Sequence, residues 1–99
     1  MTKTLTCSLL LAVALPMAAF ADGAAIYKTR CTPCHGADGS GQTPVGKSLK
    51  VPDLRSAEVQ KLSDAEIAKV LANGKGKMPA STLSAADIKA VTGFIRTLK

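Results

Sequence analysis

The chain has 99 residues and a formal net charge of +6, with 13 Lys and Arg against 7 Asp and Glu. Only 3% of it is aromatic and it has no tryptophan, which argues against the interleaved basic and aromatic surface that binds nucleic acid. A basic surface of this kind suits an acidic protein partner instead.

Residues 1–21 read as a cleaved secretory signal peptide. Lys3 supplies a short positive region, Cys7 to Leu15 is an apolar run broken by Pro16, and Ala19-Phe20-Ala21 is a small-x-small cleavage site before Asp22. The apolar run falls well short of the roughly 20 residues a membrane-spanning helix needs, so no stable membrane insertion is expected. No paired arginines precede it, which points to export as an unfolded chain. Cys7 opens the apolar run, whereas a lipid-modified cysteine would follow it, and is discarded with the leader. Loss of Lys3 lowers the charge from +6 to +5 and leaves residues 22–99 as one small domain. Its aromatics are Tyr27 and Phe94 alone. Such a chain buries a modest share of its surface, and its apolar side chains are too few and too small to fill a core. A large buried prosthetic group would complete one.

The first predicted helix runs from about Asp22, as its cap, to His35, with Pro33 closing it within a turn. From Gly36 to Lys61 the sequence carries glycines and prolines and no sustained period. A loop that long in so small a domain is expected only if it wraps something. Within it, Gly41 to Ser48 (GQTPVGKS) matches the phosphate-binding pattern G-x-x-x-x-G-K-[ST]. That pattern works between a buried strand and a helix. Here CHGADGS precedes it, Pro52 follows within a few residues, and no apolar strand ends in an Asp for magnesium, so nucleotide binding is not expected. Two further helices open alike, in LSDAEIAKV (62–70) and LSAADIKAV (83–91). Ser63 and Ser84 are N-caps, Glu66 completes a capping box, Asp87 is a shorter substitute, and Leu62 and Leu83 can staple to Ile67 and Ile88. Gly74 ends the middle helix. In the last helix Ile88, Val91, Phe94, Ile95 and Leu98 form one apolar stripe. No strand is evident.

Two of the three cysteines and the only histidine fall within RCTPCHG. Three chemistries use C-x-x-C. Zinc wants three or four ligands, and Cys31, Cys34 and His35 are crowded into one turn with no other Cys or His after residue 21. A redox dithiol expects a strand–helix–strand context and a larger domain. Haem attachment asks for what is present. Positions i, i+3 and i+4 share a helix face, so Cys31 and Cys34 can form thioethers along one haem edge while His35 points at the iron.

At these residues the chain resembles the small bacterial class I c-type cytochromes with one haem, and the likeness spans Asp22 to Lys99. Gly23 and Tyr27 match the family's small and aromatic positions on its first helix. Val91 and Phe94 match the positions where the last helix crosses it, and Gly23 would let the backbones approach there. The resemblance implies an all-α, class I cytochrome c-like fold: three main helices and a long Gly/Pro-containing loop wrapped around one haem c. It further implies that Met78, in GKGKMPAS, is the sixth iron ligand, opposite His35, and that the Pro44 carbonyl accepts the His35 Nδ1–H. His/Met ligation favours Fe(II) and fills the coordination sphere. Leu49, Val51, Pro52 and Leu54 are expected to line the pocket. Arg55 or Gln42 is either a propionate donor or simply solvated. Lys28, Lys47, Lys50, Lys75 and Lys77 either ring an exposed haem edge or form an evenly charged surface.

The function implied is a monomeric, exported one-electron carrier, most readily periplasmic, shuttling between larger redox proteins with acidic docking surfaces. It is no enzyme, since no side chain has to act as acid, base or nucleophile. Two alternatives stay open: a haem enzyme or gas sensor with a labile sixth position, and a fixed haem subunit of a dehydrogenase or oxidase complex.

Overall fold

A computed structural model describes residues 22–99, where the fold is built from six helices and no named strand. The expected signal peptide lies outside the described residues. Asp22 starts the fold as a cap: its carboxylate accepts the Ala24 N–H at 3.0 Å, satisfying one of the amides a helix N-terminus leaves unpaired. Helix α1 then runs over Gly23–Arg30. It does not continue to His35 as one piece. Pro33 has no N–H to extend the ladder, the backbone steps aside at Cys31 (φ −113°, ψ −32°), and α2 follows as Thr32–His35. The proline therefore sits in the first turn of a new helix, where its missing N–H costs nothing.

The stretch expected to be loop holds two short helices, α3 (Pro44–Leu49) and α4 (Ala57–Gln60). Each has its own cap. Thr43 Oγ1 accepts the Gly46 N–H at 2.8 Å with Pro44 in the first turn, and Ser56 Oγ accepts the Val59 N–H at 3.3 Å. Pieces of six and four residues are too short to show an apolar period.

Helices α5 (Asp64–Asn73) and α6 (Ala85–Ile95) begin as their sequences predict. Ser63 and Glu66 form the reciprocal capping box: Ser63 Oγ accepts the Glu66 N–H at 3.1 Å, and Glu66 Oε2 accepts the Ser63 N–H at 3.2 Å. Ser84 Oγ accepts the Asp87 N–H at 3.1 Å. Gly74, at φ 78°, ends α5.

The core is a cluster of Tyr27, Leu54, Ile67, Leu71, Ile88, Val91 and Ile95, with Phe94, Leu98, Leu62, Leu83, Cys31 and Met78 packed against it. The predicted α6 stripe supplies much of it. Helix α1 crosses α6 at the predicted glycine: a Cβ on Gly23 would overlap the Ala90 carbonyl oxygen and lie 2.7 Å from its carbon. Tyr27 and Phe94 pack beside the crossing with ring centroids 4.9 Å apart and planes tilted by 47°. Two polar side chains fasten the rest. Gln60 Nε2 donates to the Leu54 and Ile95 carbonyls (2.8 and 3.0 Å), and Arg96 donates to the Gln60 carbonyl (2.7 Å), the Leu62 carbonyl and Asp64.

Candidate haem site

The Cys31–His35 segment forms the single helical turn its spacing predicts. The His35 N–H reaches the Cys31 carbonyl at 2.9 Å and the Gly36 N–H reaches the Thr32 carbonyl at 2.9 Å, so residues 31, 34 and 35 share a face. Both cysteines are half-buried and form no disulfide. Burial pushes the Cys31 thiol up, Arg30 opposes this, and Cys34 adds to it. That is the reverse of the lowered thiol that drives a redox dithiol. Among the described residues Cys31, Cys34 and His35 do not converge as a three-ligand metal cluster.

Burial holds the His35 imidazole below its usual pKa, which keeps a neutral ring with a lone pair to offer a metal. Its Nδ1 is covered by protein and has no hydrogen-bond partner. Nε2, which is not among the buried unpartnered atoms, is the ring nitrogen open to a ligand. Pro44 sits exposed at the first position of α3, and the hydrogen bond expected from His35 Nδ1 to its carbonyl is not formed in this structure. The carbonyls around His35 are instead held from outside: Cys34 O accepts from Thr43 Oγ1 (2.7 Å), His35 O from the Gly41 N–H (2.7 Å), and Gly36 O from Tyr27 Oη (2.6 Å). Burial of Tyr27, with smaller contributions from Cys31 and Asp38, pushes its phenol up to about 12.

Met78 is presented by a tight hairpin after α5. Lys75 and Met78 exchange backbone hydrogen bonds of 3.0 and 2.9 Å across Gly76 and Lys77, and the Ser81 N–H returns to the Leu71 carbonyl at 3.0 Å. The half-buried Met78 packs on the same core cluster as Cys31.

Of the expected pocket residues, Leu54 is buried in the core, Leu49 and Val51 are half-buried outside that cluster, and Pro52 is exposed. Val70 is also half-buried outside the cluster, and Val45 is 46% exposed. Half-covered apolar side chains, together with two unbridged cysteines, a neutral imidazole and a thioether in the same small domain, fit a large flat apolar group that coordinates through iron. Arg55 is engaged by Asp53 through two 3.0 Å contacts and by Asp38 at 3.7 Å. Gln42 and the five lysines at 28, 47, 50, 75 and 77 are exposed. Sequence reasoning missed Thr43, Gly46, Val45 and Val70. The Thr43-Pro44 pair carried a usable helix-start signal, whereas the other three carried none.

Residues 18–95 match the family model described as cytochrome C oxidase, cbb3-type, subunit III. The chain belongs to this family of c-type cytochromes. A solved c-type cytochrome, KustC0563, is 31% identical with a TM-score of 0.72, over 80% of this chain and 99% of that one. A point mutant of Kustc0563 is 30% identical with a TM-score of 0.69, over 80% of this chain and 100% of that one. No curated protein matches. As a c-type cytochrome domain the chain carries covalent haem c and serves haem-based electron transfer, and its all-helical architecture is the class I fold. Among the described residues no helix is long and apolar enough to cross a membrane.

Proposed function

We propose that this cytochrome is a one-electron carrier whose haem is joined through thioethers to Cys31 and Cys34 and whose iron is held by His35 and Met78. The carrying observation is the pairing of a preformed Cys31–His35 turn, its neutral imidazole offering Nε2, with a hairpin that holds Met78 against the core contacted by Cys31. Haem c supplies reversible one-electron chemistry at its iron. The chain keeps both ligands in place in either oxidation state and excludes water with Leu49, Val51 and Val70, and electron transfer requires none of its side chains to act as acid, base or nucleophile. Exposed Lys28, Lys47, Lys50, Lys75 and Lys77 favour encounter with acidic donors and acceptors, more so at low ionic strength. Residues 1–21 direct export, most simply to a periplasm, and are removed, leaving 22–99 as a monomer.

The visible spectrum of the purified, dithionite-reduced protein tests this, recorded before and after carbon monoxide. Sharp haem-c bands that carbon monoxide leaves unchanged are expected. A Soret shift would reveal an open or labile sixth position and replace this reading with a ligand-binding enzyme or sensor.

A second reading, a fixed haem subunit, is favoured by the family's own description as an oxidase subunit. Size-exclusion of the exported protein expressed alone separates the two: a stable monomer supports the shuttle, and an aggregate rescued only by a partner supports the subunit.

A further inference from the structure

The segment that leaves α5 carries Met78 and, three residues on, Ser81. It is fastened along its length to the last turn of that helix. Lys75 and Met78 exchange backbone hydrogen bonds, and the Ser81 N–H donates to the Leu71 carbonyl at 3.0 Å. Between these ties Pro79 and Ala80 lie against Gly74, where a built Cβ would stand 2.9 Å from the Pro79 carbonyl carbon. Met78 packs on the core cluster to which Leu71 belongs. Both residues are therefore held at one helix end, and Pro79 fixes one of the few torsions between them.

The Ser81 hydroxyl oxygen is buried and has no hydrogen-bond partner among the described residues. A hydroxyl in that state gives up its bonds to water and gains none in return. Its neighbours along the chain offer little. Lys75 and Lys77 carry donors only, Pro79, Ala80 and Leu83 have apolar side chains, and Thr82 is exposed. Met78 is the exception, because its thioether is an acceptor, weak but suited to an apolar setting. A thioether sulfur has two lone pairs, of which an iron ligand gives one to the metal and keeps the other. We propose that the Ser81 hydroxyl donates to that second lone pair, which makes Ser81 a positioning residue for the iron, acting through Met78. The proposal rests on Met78 being the sixth ligand. The positive end of the O–H dipole beside the sulfur draws electron density away from iron and favours Fe(II). Hydrogen bonding around an axial ligand is one of the levers a protein has on haem potential.

Two measurements on the covalently loaded holoprotein test this. One is the midpoint potential, and the other is the weak near-infrared band of the oxidised protein that reports the iron–thioether bond. Ser81→Ala removes the hydroxyl, and Ser81→Thr keeps it. Ser84→Ala weakens the α6 cap, whose hydroxyl serves Asp87 and not the methionine hairpin. Ser81→Ala is expected to lower the potential and to shift the near-infrared band without abolishing it. Ser81→Thr and Ser84→Ala are expected to match the parent in both. A Ser81→Ala protein with the parent's potential overturns the proposal. So does a Ser84→Ala protein that reproduces the Ser81→Ala changes, since lost stability alone would then explain them. A lowered potential with an unmoved band also overturns it and assigns the hydroxyl to a haem propionate. If Ser81→Thr fails to load haem, Ser81→Ala against Ser84→Ala decides. A parent protein that lacks the near-infrared band refutes ligation by Met78 separately, before any variant is compared.

Discussion

Gly74 lies directly against Met78: a Cβ built on Gly74 would stand 2.5 Å from the Met78 carbonyl oxygen and 2.8 Å from the Ala80 nitrogen. The helix that ends at Gly74 and the hairpin that carries the methionine are therefore one rigid corner. Gly74→Ala meets both this overlap and a backbone (φ 78°, ψ 174°) open essentially to glycine alone, a conformation costing of order 1–3 kcal/mol for other residues. The chain relieves it by displacing the methionine loop. Gly74→Ala is expected to acquire the carbon monoxide-induced Soret shift that the parent lacks, and an unchanged spectrum would show that the corner does not control Met78.

Tyr27 is the only tyrosine, so its titration can be followed alone by NMR of a chain carrying a labelled tyrosine ring. Its phenol is raised to about 12 in the fold, chiefly by burial, against about 10 in an unfolded chain. A raised folded value means that its contribution to stability is complete below about pH 10 and is lost as pH climbs towards 12. The native ring is expected to stay protonated at pH 10.5 while the urea-unfolded ring ionises near 10. Native ionisation near 10 would contradict the burial argument. The Cys31 contribution disappears once that sulfur is a thioether, but burial remains.

Arg96 and Asp64 form an ion pair of 2.9 Å in which the Asp64 side chain is 78% exposed. An exposed pair contributes about 0–1 kcal/mol, so Asp64→Asn should scarcely move the urea midpoint. Arg96 also serves the Gln60 and Leu62 carbonyls, and removing a donor from part-buried acceptors costs about 1–3 kcal/mol. Arg96→Met is expected to lower the midpoint several times more than Asp64→Asn. Equal effects would mean that the ion pair, not the carbonyl clamp, matters.

Gly23→Ala places a methyl group into the Ala90 backbone and 3.2 Å from Phe94 Cβ. Overpacking of this kind costs about 1–3 kcal/mol, and relief requires α1 and α6 to separate. Reduced thermal stability with an unchanged visible spectrum is expected, because the overlap falls on Ala90 and Phe94 and not on Cys31, Cys34, His35 or Met78. A spectral change would tie the crossing to the iron site.

The legible parts of this fold were those whose signals are local. Asp22, Ser63 and Ser84 announce helix starts, Glu66 completes its box, Gly74 stops α5, and the α6 stripe repeats over several turns. The attachment turn was legible for the same reason, since five consecutive residues define it. What stayed hidden depends on distant partners. Nothing near Thr43 says that its hydroxyl will reach Cys34, nine residues away, and nothing near Gly46 says that a carbonyl will press on its Cα. The break at Cys31 was hidden differently. Pro33 is equally at home ending one helix or opening the next, and the Thr32 hydroxyl, donating to the Tyr27 carbonyl, accompanies the second.

The crossing of Gly23 under Ala90 joins almost the two extremes of the described chain. Contacts spanning that much sequence incur loop-closure entropy before they return any stability, and they slow folding. A chain made from its N-terminus has Cys31, Cys34 and His35 in hand while α6 does not yet exist. Through that interval Tyr27 lacks Phe94, α1 has nothing to lie against, and the two thiols belong to an open segment rather than to a half-buried turn. The closing of α6 onto α1 therefore acts as a clock: it marks the time before which the cysteines are readily reached and after which the fold shelters them.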